Sequence, residues 1–276
     1  MTSHVTDLEP LFIDGAVGRV FGLYFPPVGT ARGTLLYVPP FAEEMNRCRN
    51  LVAEQARTLA QLGWSCLLID PYGTGDSEGE LVDADWAIWR QDIQHAAEWL
   101  THKTGLPVTL WGLRLGALLA ADVAQQTPER FAALLLWQPV VDGKLFLTQV
   151  LRQRVAYLMD RGLPAETTDH MRQTIQQGMN VEVAGYTLSQ RLVESIDNAR
   201  LSSFSALQGQ HIDWFENVSE PGKPLTPASL KTIDLLKATN TVRVHPFCAP
   251  PIWQLHDRDH APDLIAKTAA LFGALA

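Results

Sequence analysis

The sequence predicts an α/β protein with a mostly parallel central sheet, helices on both of its faces, and a helical segment inserted late in the chain. Three observations predict it. Short apolar runs of strand length alternate with longer segments of helical period; the runs are too continuously apolar to leave one face in water; and the alternation stops after Pro139, resuming near residue 211.

The elements follow in order. "LEPLFIDGAVGRVFGLYFPP" reads as two strands about a turn rich in Asp and Gly, and "GTLLYVPPF" as a third strand, buried on both faces. From Met45 to Leu62 the chain spaces Leu51, Ala56, Leu59 and Leu62 along the inner face of a helix that Gly63 ends. "WSCLLID" is the next buried strand. The unit then repeats: helix at "ADWAIWRQDIQHAAEWL", strand at "PVTLWG", helix at "LGALLAADVAQQ", strand at "AALLLWQPV". From Asp142 to about Ser205 the pattern is mostly amphipathic helix, with polar interruptions at "GLPAETTD" and "VEVAGYTLS", as expected of a lid over the carboxyl edge of the sheet. Strands return at "HIDWFENV" and "NTVRVHPF", and "APDLIAKTAALFGAL" forms a closing helix. The expected organisation is a core in two parts, residues 1–141 and 206–276, with a helical lid at 142–205.

Composition narrows the function classes. A formal net charge of −8, with no run of Lys or Arg, argues against a nucleic-acid partner. Cys48, Cys66 and Cys248 are few, odd in number and far apart, which fits free thiols in a reducing compartment. The N-terminal "MTSHVTDLEPLF" lacks the basic start and apolar core of a secretory signal, and no stretch is apolar enough to span a bilayer. The expectation is a soluble, cytoplasmic protein without cofactor or metal.

The chemistry concentrates in "TLWGLRLGALLAADVA", Thr109 to Ala124, where an apolar strand meets a Gly-x-x-x-Gly turn and a helix follows. This is the layout of a nucleophile elbow, Gly-x-Ser-x-Gly, with Arg114 in place of the serine. A guanidinium stays protonated and has no lone pair to attack an acyl carbon, so the serine mechanism is closed at this position. Its donor fork suits a carboxylate or phosphate. Two readings of Arg114 stand side by side: an internal pair with Glu43 or Glu44, and an anchor for an anionic ligand.

The whole order of strands and helices resembles the α/β-hydrolase fold, with a lid inserted after the sixth strand. "DPYGTGDSEGE" resembles the turn that commonly follows the fourth strand of that superfamily, and "VPPFAEEMNR" sits where its oxyanion loop belongs. "PPFAEEMNRCR", "IDPYGTGDSEG", "WGLRLGALLA", "AGYTLS" and "PPIWQ" together resemble the exosortase A system-associated hydrolase 2 family, found beside exopolysaccharide and PEP-CTERM protein-sorting genes. The resemblance implies that the arginine belongs to the family, and it implies a partner protein from the same locus.

On this frame, N–H groups of Phe41 or Ala42 together with that of Leu115 are the oxyanion-loop candidates. Glu43, Glu44, Asn46, Arg49, Asp142 and Trp253 are candidates for the pocket. The triad acid is expected after the seventh strand, where Glu216 and Glu220 both qualify, or after the sixth at Asp142. Pro250 to Trp253 fall where the histidine should be; His245 comes too early, and His256 and His260 come late. Ser77, in "GTGDSEG", reads with Asp76 as a turn-locking residue, and the segment lacks the Gly-Lys-Ser/Thr ending of a phosphate loop. Two functions follow. One is a protein that binds a small anionic, partly apolar ligand without Ser-His-Asp chemistry; the other is an atypical ester or thioester hydrolase or acyl-transfer enzyme working through pocket carboxylates such as Glu44 or Asp142.

Overall fold

In the computed structural model, which describes residues 8–204, 206–254 and 260–274, the chain starts with an antiparallel hairpin of β1 (Glu9–Asp14) and β2 (Arg19–Phe25). β3 (Gly33–Val38), α1 (Glu43–Gln61) and β4 (Trp64–Asp70) form the first crossover unit. α2 (Trp86–Thr104), β5 (Val108–Leu113), α3 (Leu115–Gln126) and β6 (Phe131–Trp137) continue the alternation. Asp85 caps α2 by accepting from the Ile88 N–H, and Gly105 ends it at φ 72°, a left-handed turn that a side chain resists.

An insert follows β6. It holds α4 (Gly143–Asp160), α5 (Thr168–Gln176), the short strands β7 (Val181–Val183) and β8 (Tyr186–Leu188), and α6 (Gln190–Asp197). Part of "VEVAGYTLS" is thus an antiparallel hairpin, turned at Ala184 and Gly185 with φ 52° and 86°. Strands of three residues are too short for an alternation of period two to show in the sequence.

β9 (His211–Asn217), α7 (Pro227–Lys237), β10 (Thr241–Phe247) and α8 (Pro262–Ala274) complete the chain. Helix α7 does not stand out in the sequence because Leu230 and Leu235 face solvent while Ser229 and Thr232 are buried, which blurs its apolar stripe.

The large sheet runs β1-β2-β4-β3-β5-β6-β9-β10, antiparallel at its first end and parallel from β4 onward. Successive residues of each strand serve opposite faces: Leu36, Val38 and Leu110 pack with α2 and α3, whereas Leu35, Tyr37 and Trp111 pack with α1 and α8. Burial on both faces is what makes these strands continuously apolar. Among the described residues, no helix is long and apolar enough to cross a membrane.

Candidate functional site

Arg114 stands at the junction of β5 and α3 with φ 56° and ψ −118°. A residue with a β-carbon avoids that region, so the surrounding structure must impose it. Two glycines make the turn possible. A β-carbon on Gly112 would lie 2.4 Å from the Ala117 Cα, and one on Gly116 would lie 2.3 Å from the carbonyl oxygens of Val38 and Pro39. The Arg114 N–H donates to the Trp137 carbonyl, and its own carbonyl accepts from Ala117 and Val140, which fixes the turn against β6. Ala42, just before α1, has nearly the same backbone, φ 53° and ψ −127°. Two helix starts thus converge beside one turn.

The Arg114 side chain enters a cavity of about 600 Å³ enclosed by the start of α1, by α4, by the tip of the β7–β8 hairpin and by the loop after β10. There its Nε and Nη2 donate to the Glu44 carboxylate at 3.2–3.4 Å. The two side chains keep only 12% and 13% of their surface exposed. The guanidinium carbon lies 4.9 Å from the centre of the Trp253 ring and 5.8 Å from that of Phe146, so the cation is held between aromatic faces as well as by a carboxylate. Arg114 Nη1 has no partner among the described residues.

Burial raises the Glu44 carboxyl above its usual range, and the charges of Arg114 and Arg47 pull it back only in part. One turn further along α1, burial and then the charge of Glu44 push the Cys48 thiol up to about 12, which makes it an inert neutral side chain. Glu43 pairs with Arg47 at 3.4 Å and accepts from the Tyr186 hydroxyl at 3.3 Å. Asn46 donates to the same hydroxyl at 2.9 Å, tying the hairpin to the start of α1. Arg47 in turn donates to the Gln254 carbonyl. The acidic pair is therefore divided: Glu44 turns inward to the elbow, and Glu43 holds the wall.

The model of the family described as serine aminopeptidase, S33, matches residues 29–200, which include the elbow, α1 and most of the insert. The chain belongs to this S33 family of α/β-hydrolases. Among curated proteins, human monoglyceride lipase is 32% identical over 124 residues, 44% of this chain and 40% of that enzyme. The mouse enzyme is 25% identical over 169 residues. The chain thus spans 40% and 54% of the lengths of these relatives. Of solved structures, a soluble variant of monoglyceride lipase from Saccharomyces cerevisiae aligns over 100% of this chain and 97% of its own, with a TM-score of 0.68 and 13% identity. Est1E of Butyrivibrio proteoclasticus with ferulic acid aligns over 96% of both chains, with a TM-score of 0.66 and 14% identity. These likenesses establish the α/β-hydrolase fold, a mostly parallel sheet of eight strands flanked by helices.

Within this S33 chain the remaining site candidates separate. Trp253 lies on the loop after β10, facing Arg114. Phe41, Ala42 and Leu115 line a narrow apolar hollow that Trp86 and Trp89 help to close. The N–H groups of Ala42 and Leu115 reach no acceptor among the described residues, as expected at a helix start.

Several pocket candidates go elsewhere. Arg49 is not a pocket residue: five positions beyond Glu44 on α1, it points the other way and pairs with Asp70 at 2.8 Å, beside Gly75. Asn46 also lies off the cavity lining, on the Tyr186 side of the helix. Asp142 is neither acid nor base here; it caps α4 at the Leu145 N–H and pairs with Arg200 at 2.8 Å. Burial would raise its carboxyl, but those two donors outweigh burial and hold it below the usual range.

The described acid/base candidates likewise do not line the Arg114 cavity. Glu216 is buried and accepts from the Trp214 indole at 2.8 Å and from the Thr226 N–H at 3.3 Å, a structural role inside the sheet. Glu220 is exposed, 3.8 Å from Lys223. His260 is exposed before α8 and is not among the residues lining the Arg114 cavity, and His256 lies outside the described residues. Among the described residues no three His, Cys, Asp or Glu stand together as metal ligands. Sequence reasoning did not single out Phe146, which sits on α4 with no motif around it, or Tyr186 and Gln254, whose only signal was their place inside "AGYTLS" and "PPIWQ".

Proposed function

We propose that this S33-family protein binds, without cleaving, a small anionic and partly apolar ligand in the elbow cavity. The observation that carries the reading is the buried Arg114–Glu44 pair with the Trp253 ring against it; the motif reading sets Arg114 in the serine's position of the elbow and Trp253 in the segment expected to hold the histidine. Arg114 Nη1, without a partner among the described residues, offers two donors to a carboxylate or phosphate, while Phe146, Val150 and Trp253 offer an apolar wall. Ferulic acid, named for one structure of the same fold, is an anion with an apolar body of this kind; the monoglyceride named for the curated relatives is a neutral ester and shares only the apolar part. The motif resemblance extends the reading to a cytoplasmic protein of an exosortase or exopolysaccharide locus, working with a partner encoded there.

A second reading is favoured by one observation, the burial that raises Glu44. A carboxylate of raised pKa beside a cation has the makings of a general base for ester or thioester hydrolysis or acyl transfer.

The test combines labelling, turnover and binding. A fluorophosphonate probe is expected to leave the protein unlabelled, and p-nitrophenyl butyrate to remain uncleaved by both the wild type and Arg114→Ser, since a serine there has no base to take its proton. Octanoate, titrated by calorimetry, is expected to bind the wild type and to bind Arg114→Gln at least tenfold more weakly. Turnover by the wild type that disappears in Glu44→Gln establishes the second reading. Robust turnover by Arg114→Ser that is lost on replacing His256 or His260 reveals a latent triad and overturns the first.

A further inference from the structure

We propose that the protein has a second ligand site at the opposite end of the sheet, a groove of about 510 Å³ that takes a small amphipathic anion. The site is separate from the elbow. Thr109 lies on its floor, and Arg114 comes five residues later, just past the end of the same strand, about 16 Å away at the rise of a β-strand.

The groove follows from side-chain size across the strands. Register sets Thr109 beside Ala133 and Leu135 beside Asp213, so the floor is made of small and apolar residues on the face shared with α1 and α8. Phe272, near the end of α8, packs edge-on against Trp64 at 4.8 Å and forms one wall. Beyond that contact, Ala133 is only partly covered and Arg243 is exposed. Size and lining match an ordinary small-molecule pocket, apolar with a few polar groups at fixed places.

Those polar groups select for charge. The Asp213 carboxylate is already closed, accepting from Arg243 Nε and Nη2 at 2.9 and 2.8 Å and lying 2.8 Å from His245 Nε2. What remains unspent is on the donor side. Among the described residues Arg243 keeps Nη1 unpartnered, the Arg32 guanidinium has no partner, and Thr109, only 6% exposed, lines the groove with no hydrogen-bond partner for its hydroxyl. His211 adds an exposed imidazole at the rim. A buried hydroxyl and two guanidinium groups around an apolar floor complement an anion with a flat or short apolar body. A cation would meet Arg32 and Arg243; a wholly apolar molecule would leave the Thr109 hydroxyl unpaired.

The probe is naphthalene-2-sulfonate, with neutral 2-naphthol as its control, titrated into the full chain by calorimetry. The sulfonate is expected to bind one to one and 2-naphthol at least tenfold more weakly. Ala133→Phe, which fills the groove, and Arg32→Gln, on the surface, are each expected to weaken the sulfonate at least tenfold while octanoate binding at the elbow is unchanged. Arg114→Gln should leave the sulfonate unaffected. Should Ala133→Phe fail to fold, Thr109→Val and Arg32→Gln carry the test, since neither adds bulk. The proposal is overturned if the sulfonate shows no saturable binding, if the groove variants leave its affinity intact, or if its affinity falls only with Arg114→Gln. That last result returns the anion to the elbow and supports the reading of that site instead.

Discussion

Arg114 sits in a backbone conformation that costs a residue with a β-carbon free energy, and it is kept there by glycine contacts, an ion pair and two aromatic rings. Arg114→Ala removes the cation while leaving both the strain and a buried Glu44, so it is expected to destabilise the fold by about 3 kcal/mol at pH 8, the lower end of the range for breaking a buried pair. Arg114→Gly should lose about 1 kcal/mol less, because glycine accepts φ 56° without penalty. The sign of the pH dependence is fixed by Glu44. Its folded carboxyl titrates above the ordinary 4.5, so between the two values the folded chain binds more protons than the unfolded one. Its stabilising contribution is therefore full below 4.5 and lost as pH rises through the folded value. Without Arg114, only the charge of Arg47 opposes burial and the upward shift grows. The deficit of Arg114→Ala should shrink on acidification, and Glu44→Gln should remove that slope. Urea midpoints measured from pH 4.5 to pH 8 decide it; a deficit that is flat with pH means that the pair contributes no coupled titration.

At the scale of elements, the site depends on how closely α3 approaches β3. Gly116 permits that approach, since a β-carbon there meets main-chain oxygens, which unlike the far end of a side chain cannot swing aside. Gly116→Ala is expected to cost about 3 kcal/mol, toward the upper end for overpacking a tight interior. Gly273→Ala, near the end of α8 with nothing within 4 Å, should cost almost nothing and serves as the control. Thermal melts of the two variants compare them directly, and equal melting temperatures would mean that α3 can slide away from β3. The insert is tied down differently. Its hairpin meets the core through the Tyr186 hydroxyl, set between Asn46 and Glu43, so polar bonds hold the tip where apolar packing holds α4.

Across the whole molecule, the two faces of the sheet behave as separate compartments. The face covered by α1 and α8 buries Cys48 and Cys66 completely, and burial pushes both thiols far from reactivity, Cys48 to about 12. Cys248 is half-buried after β10. Ellman's reagent at pH 8 is expected to titrate no more than one thiol in the folded protein and all three in guanidinium chloride. Two reactive thiols in the folded state would show that α1 or β4 opens on the timescale of the assay. This face also carries the second groove, while the elbow cavity opens at the far ends of the same strands.

By itself, the sequence determined the alternation of strands and helices, because burial on both faces forces continuous apolar runs such as "TLLYV" and "WSCLLID" that no amphipathic element imitates. It also located the turn that holds Arg114, since Gly112 and Gly116 mark that turn whatever stands between them. What only the tertiary structure decided was pairing. Glu43 and Glu44 are neighbours of one kind in sequence, yet a rotation of 100° along α1 sends one to the elbow and the other to the hairpin. Arg49 and Asp142 looked available until Asp70 and Arg200, from remote segments, closed on them. The β7–β8 hairpin left almost no pattern, because three residues cannot establish a period. Contacts between residues distant in the chain depend on how elements dock, and no local spacing encodes that.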